Sequence, residues 1–221
     1  MKNAKIELYP TKVMHIDCSN TISRYYADEM VQDIDEMERS GDQILTSDRS
    51  PKLQCAPVLF HSRSTPAWKC LHNTFLMACK EYETTVRTIT SAQDMIEPLG
   101  ASAWFVKQNN TINENNINPY HDHSPAYLSG IFYLRVPEGE GGGTEFIDPR
   151  TNQHKNISRR FLAPKHLNWL IFPSWLSHRT EWLDSDDSRY VIAANVYTRP
   201  LRMSSSTDLE YIDQRTADYL R

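Results

Sequence analysis

The stretch "NPYHDHSPAYLSGIFYL", residues 118–134, decides how the chain is read. Its second half, Leu128 to Leu134, is an apolar and aromatic run that reads as a buried strand. Its first half sets His121 and His123 one residue apart, directly ahead of that run. In an extended segment, residues two apart project from one face, with Cα atoms roughly 6.5–7 Å apart. Two imidazoles at that spacing can converge on one ion whose bonds to nitrogen are about 2.1 Å. Asp122, between them, points the other way, so parity favours His121 and His123 as the ligand pair. The same pair can also be a solvated strand edge that binds nothing. Further donors decide between the two.

From residue 101 onward the chain keeps the texture of that run. "ASAWFVKQ", "LSGIFYLRV", "GTEFIDP", "NWLIFPSWL" and "RYVIAANVYT" are short, aromatic and β-branched, and are separated by Pro, Gly or Asn. They predict several antiparallel strands. The polar "QNNTINENNIN", residues 108–118, reads as a connection. The cluster "EGEGGGTEF" precedes a strand rather than a helix, which argues against a dinucleotide loop and suggests a hairpin at Gly139 and Gly141–Gly143.

A third imidazole comes from "NWLIFPSWLSHRTEW", an apolar strand, a Pro-Ser turn and then His178. Two histidines at one strand and one beyond another, across a barrel of strands, make a facial set with open coordination positions. Eleven residues later Arg189 opens "RYVIAANV", where Arg189, Val191, Ala193 and Asn195 share one face. A guanidinium among small apolar residues suits recognition of a carboxylate. The alternative is a surface salt bridge to Asp186 or Asp187. Trp169, Trp175 and Trp182 read as core and support rather than as a binding platform.

The N-terminal third reads helical. "SNTISRYYADEMVQDIDEMERSG" carries Ile22, Tyr26, Met30, Ile34 and Met37 at steps of three and four, with Gly41 as a stop. "STPAWKCLHNTFLMACKEYETTV" offers Thr65 as N-cap, Pro66 at the first position, and a stripe of Trp68, Leu71, Phe75, Cys79 and Tyr82. These helices are expected to support the β core from outside. Cys18, Cys55, Cys70 and Cys79 include no C-x-x-C pair and read as reduced thiols. The 221 residues suffice for one domain with its own core, and the formal charge of −4 with no basic run points away from nucleic acid. No signal-peptide core and no run of eighteen apolar residues is present, so a cytoplasmic protein is expected, in a host cytoplasm if the chain is of phage origin.

With these residues assembled, the chain resembles the 2-oxoglutarate- and iron(II)-dependent oxygenases, and is most similar to prolyl-hydroxylase-like members found in bacteria and their phages. The resemblance rests on "PYHDHSPAYLSGIFYLRVPEGEGGGTEFIDPR", "LIFPSWLSHRTEW" and "RYVIAANV" in that order and covers roughly residues 101–198. It implies a single domain with a double-stranded β-helix (jelly-roll, cupin-like) core over 101–198. Residues 1–100 would be mainly helical support, and 199–221 a last helix or tail. It implies His121 and His178 as iron ligands and Arg189 as the clamp for the far carboxylate of 2-oxoglutarate. Tyr133 is implied as a second contact to that co-substrate; Ser129, which shares the face of Tyr133 by parity, and Asn195, which shares that of Arg189, are taken as further co-substrate-binding residues. The wider family reads His-x-Asp where this chain has His123. The most similar subgroup reads His-x-His, so His123 is taken as third ligand, with Asp122 or Asp148 as the carboxylate alternatives.

The activity so implied uses iron(II), 2-oxoglutarate and O2 to hydroxylate a protein side chain, such as a prolyl residue, or a small metabolite. Succinate and CO2 are the co-products. Residues 108–118 and 149–165, with Arg150, Arg159 and Arg160, are candidates for the substrate rim. Two rivals stand beside this reading: a three-histidine cupin-like dioxygenase needing no 2-oxo acid, and a non-catalytic jelly-roll binding module.

Overall fold

A computed structural model describes residues 11–42, 44–45, 53–86, 98–108, 119–138, 140–151, 158–181 and 183–198. Twelve strands and three α-helices are formed among them. The strands are β1 (Met14–Asp17), β2 (Ile44–Leu45), β3 (Leu53–Cys55), β4 (Pro98–Gln108), β5 (Leu128–Arg135), β6 (Glu140–Gly141), β7 (Thr144–Ile147), β8 (Arg159–Leu162), β9 (Asn168–Pro173), β10 (His178–Thr180), β11 (Leu183–Asp184) and β12 (Arg189–Thr198). The helices are α1 (Arg24–Ser40), α2 (Leu59–Ser62) and α3 (Pro66–Val86). No described helix is long and apolar enough to cross a membrane.

Seven strands form one sheet in the order β1-β9-β5-β12-β4-β3-β2, and β10-β7-β8 form a second. All pairings are antiparallel, in keeping with a double-stranded β-helix. In the large sheet, β5, β9 and β12 are buried on both faces, and that is why they read as unbroken apolar runs rather than alternating ones. Alternate residues serve two cores. Phe132, Leu134, Trp169, Ile171, Tyr190 and Ile192 pack toward the helices. Ile131, Tyr133, Leu170, Phe172 and Val191 face the small sheet and meet Phe146 and Leu176. Each fully buried side chain of this size contributes about 1.5–3 kcal/mol.

The helices cover the outer face as their stripes require. In α1, Ala27, Met30, Val31, Ile34 and Met37 are buried. Ser23 Oγ accepts the Tyr26 amide at its start, and Gly41 ends it at φ 70°. In α3, Trp68, Leu71, Phe75, Cys79 and Tyr82 are buried as the spacing predicts. Thr65 stands ahead of α3, but its hydroxyl is buried with no hydrogen bond. The start of α3 therefore rests on Pro66 and on the Lys69 amide donating to the Thr65 carbonyl. Polar ties lock helix to sheet: Trp169 Nε1 donates to Thr74, and Lys107 reaches both Asp35 and Glu38 of α1.

Three expectations change. The first hundred residues are not helical support alone, because β1, β2 and β3 extend the large sheet on both edges. The glycine cluster is not a hairpin, since β5 and β7 lie in different sheets and β6 pairs with β11. The chain crosses between sheets there, passing close over Arg189. Gly142 has φ 71°, and a Cβ on it would come within 3.2 Å of Arg189 Cδ. Of the tryptophans, Trp169 is core, Trp175 is half exposed, and Trp182 lies outside the described residues. The tail 199–221 and residues 109–118 of the Asn-rich connection lie outside them as well. All four cysteines are free.

Gly130, on the helix face of β5, lies beneath Phe75 of α3. A Cβ there would sit 2.8 Å from Phe75 Cε2 and 2.9 Å from Trp169 Cε3. Gly130→Ala is expected to cost about 1–3 kcal/mol through overpacking, measured by urea unfolding. A stability equal to wild type would contradict this packing.

Candidate metal and co-substrate site

His121 and His123 precede β5 on an irregular segment rather than inside a strand. His121 forms an isolated antiparallel bridge with His178: its amide donates to the His178 carbonyl at 3.0 Å, and the His178 amide donates back at 2.9 Å. The His123 amide donates to the Ser174 carbonyl at 2.8 Å, within the turn between β9 and β10. The early histidine pair is thus sewn to the segment that carries the third histidine. One ligand atom from each of the three rings lies within 4.8 Å of the others.

The second nitrogens explain why these rings are available to a metal. Nδ1 of His121 lies 3.0 Å from the Pro119 carbonyl and Nδ1 of His178 lies 3.0 Å from that of Leu176. Nδ1 of His123 lies 2.9 Å from Asn195 Oδ1. Each acceptor selects the tautomer protonated at Nδ1, which leaves the Nε2 lone pair for a metal. Burial, opposed by the hydrogen bond to Asn195, lowers His123 to about 4. Burial and the neighbouring imidazoles lower His178 to about 3. Both rings are therefore neutral at pH 7, the form that binds metal. Phe146 and Phe172 pack on His178 with ring centroids 5.8 and 4.8 Å away.

The histidines line a small cavity between the two sheets, of about 70 Å³, together with Trp104, Val191, Ala193 and Arg189. Arg189 is only 1% exposed. Its Nη1 donates to Gln108 Oε1 at 3.0 Å, its guanidinium carbon lies 5.4 Å from the Tyr133 ring centroid, and its Nε has no hydrogen-bond partner. No carboxylate of the described residues pairs with it, so the salt bridge to Asp186 or Asp187 is not made. Burial shifts the group downward, but an arginine stays charged. A buried cation with an unused donor has the chemistry to receive an anion.

The remaining candidates take other positions. Ser129 Oγ donates to Asn195 Oδ1 at 2.8 Å and lies 3.2 Å from His123 Nδ1. Ser129 and Asn195 therefore stand behind His123 rather than on the cavity wall. Tyr133 is fully buried, with its hydroxyl 2.8 Å from Thr144 Oγ1. Asp122 is exposed, accepts the Ser124 amide and is not among the grouped ligand atoms. Asp148 is chelated by Arg150, which holds its carboxyl at about 2, and it lines a different cavity. Neither aspartate joins the histidines. Sequence reasoning missed Trp104, whose ring centroid is 5.2 Å from that of His123, and Gln108, the partner of Arg189. Gln108 had a signal, as a polar residue that follows Lys107 at the end of an otherwise apolar run.

A family model described as "Putative 2OG-Fe(II) oxygenase" matches residues 102–195, a span that contains all three histidines and Arg189. No curated protein matches the chain significantly. Among solved structures, the chain is similar to a prolyl hydroxylase from Trichoplax adhaerens in complex with a hypoxia-inducible-factor peptide. That match has 15% identity and TM-score 0.59, over 84% of this chain and 83% of that one. A prolyl-4-hydroxylase from Pseudomonas putida matches at 10% identity and TM-score 0.55, over 86% and 94%. The α-ketoglutarate-dependent epimerase SnoN of nogalamycin biosynthesis matches at 11% identity and TM-score 0.60, over 88% and 83%. SnoN has also been crystallised with Fe3+ and α-ketoglutarate.

The lowered imidazoles have a consequence for the metal-free chain. An unfolded imidazole titrates near 6.5, whereas native His123 and His178 stay neutral down to about 4 and 3. Unfolding therefore takes up protons below pH 6.5, so this contribution to stability is full above that pH and declines as pH falls. Each such group changes stability by up to about 1.4 kcal/mol per pH unit. Urea midpoints of wild type and His178→Phe, measured without metal between pH 7 and 4, should show a shallower decline in the variant. Parallel curves would contradict the assignment.

Proposed function

We propose that this chain, a member of the 2-oxoglutarate- and iron(II)-dependent oxygenase superfamily, holds its iron with His121, His123 and His178 and its co-substrate with Arg189. One observation carries the assignment of residues: a fully buried guanidinium with an unused Nε opens onto the same cavity as three imidazoles whose Nδ1 atoms are all engaged elsewhere. The donor set fits the metal. Three neutral nitrogen ligands would leave the ion open to co-substrate. When bound, iron(II) and 2-oxoglutarate supply the oxidation, in which one C–H of the substrate becomes C–OH while the oxo acid and O2 yield succinate and CO2.

The protein's own part is preorganisation. The carbonyls of Pro119 and Leu176 and the amide oxygen of Asn195 fix three tautomers before any ion arrives, and Ser129 holds Asn195 in turn. Arg189 orients the co-substrate by its distal carboxylate, with Gln108 holding the guanidinium and the Tyr133 ring beside it. Ile131, Val191 and Ala193 form an apolar wall that keeps water from the reacting centre. His123 stands where the wider family has a carboxylate. The protein then supplies no negative charge to the ion: of the two carboxylates of 2-oxoglutarate, one offsets Arg189 and the other offsets one of the ion's two positive charges.

The substrate proposed is a prolyl or similar side chain of a peptide, or a small metabolite. The similar structures include enzymes whose names carry each kind, a hydroxylase with a peptide and an epimerase of antibiotic biosynthesis. A three-histidine dioxygenase that dispenses with 2-oxo acids leaves the buried Arg189 without a task, and is the weaker reading.

Anaerobic addition of iron(II) and 2-oxoglutarate to the pure protein should produce a visible charge-transfer band, and admission of oxygen should release succinate. His178→Ala is expected to abolish both. Arg189→Met should keep metal binding and raise the KM for 2-oxoglutarate at least tenfold, the loss of about 1.4 kcal/mol or more expected for a charged hydrogen bond. Wild-type protein giving neither band nor succinate would contradict the assignment.

A further inference from the structure

Tyr120 and Arg179 are the immediate neighbours of His121 and His178, and their side chains meet on the outer face of the small sheet. Tyr120 Oη donates to Glu145 Oε2 at 2.8 Å, and Arg179 Nε donates to the same oxygen at 2.7 Å. The Arg179 guanidinium also lies 4.5 Å from the Tyr120 ring centroid. Arg159 stands 4.0 Å from the other oxygen of Glu145 and 5.8 Å from the same ring. Register makes this inevitable. On β10, His178 and Thr180 line the cavity while Arg179 points outward, opposite Glu145 of β7. On the 120–121 segment, His121 lines the cavity and Tyr120 reaches to Glu145.

From these contacts we infer that Glu145, bound by Tyr120 and Arg179, is a positioning residue that holds the His121 and His178 segments together from the face opposite the metal cavity. The inference rests on the metal reading given above. His121 lies outside every regular strand, and its backbone is tied to β10 through one bridge. The bridge and the His123–Ser174 bond fix the backbone of this segment, and the Tyr120–Glu145–Arg179 contact adds a side-chain attachment on the other face. Glu145 is mostly buried, with 17% of its side chain exposed, so its hydrogen bonds are less screened than those of an exposed pair. The three partners form none of the cavity wall.

Cobalt(II) titration of the full chain under anaerobic conditions, followed by visible absorption, tests the clamp. Tyr120→Phe removes one oxygen atom, and Glu145→Ala removes the hub. Both are expected to weaken cobalt binding by about ten- to a hundredfold, the range found when groups that orient metal ligands are removed. The metal-free thermal midpoint of Tyr120→Phe should stay near wild type. Glu145→Gln, which keeps an acceptor for the tyrosine, should recover part of the loss. Should Glu145→Ala not fold, Tyr120→Phe carries the test by itself. Variants that bind cobalt as wild type does, or that lose affinity only in step with metal-free stability, would overturn the clamp while leaving the metal site standing. A wild-type chain that takes up no cobalt would overturn both.

Discussion

Two backbone hydrogen bonds between His121 and His178 organise this molecule's functional end. They join the irregular 119–127 segment, which leads into β5, directly to the strand that carries the third histidine. With them, a ring from an irregular segment and a ring from the small sheet are held as cross-strand neighbours, with centroids 4.6 Å apart. The turn that follows β9 adds the third tie, through the His123 amide and Ser174. Ligand geometry is therefore a property of the sheet framework. A metal bound as proposed would find its donors already in place.

The framework permits this because the large sheet is buried twice. The helices take one face of β5, β9 and β12, so the other is free to be committed to the small sheet and the cavity. Along β12 the division is sharp. Tyr190, Ile192, Ala194 and Val196 serve the helical core, while Arg189, Val191, Ala193 and Asn195 face inward. Removing a cation such as Arg189 from water costs several kcal/mol, and Gln108 offers only a neutral acceptor. Folding bears that cost, and under the proposed function a bound carboxylate would recover it.

Much of this was legible in the residues. The helical stripes were visible because burial recurs at steps of three and four, and β5, β9 and β12 because two-sided burial leaves no polar alternation. His178 stood out as a lone imidazole after an apolar strand, and Arg189 as a lone charge opening one. Depth was not legible. Parity places Ser129 and Asn195 on the inner face, but only the packing puts them behind His123 rather than beside a ligand. The short strands β1 to β3 were missed because their pairing partners lie far along the chain. The glycine cluster was misread because local turn chemistry cannot tell a hairpin from a crossing between sheets. Glu145 was invisible for the same reason: its partners are set by cross-strand register.

An anaerobic crystal structure with iron(II) and 2-oxoglutarate tests the central claim most directly. The account predicts one ion bound by Nε2 of His121, His123 and His178, with no aspartate in its shell and the distal carboxylate of the oxo acid on Arg189. An ion held through Asp122 or Asp148, or a 2-oxoglutarate bound away from the Arg189 guanidinium, would contradict it.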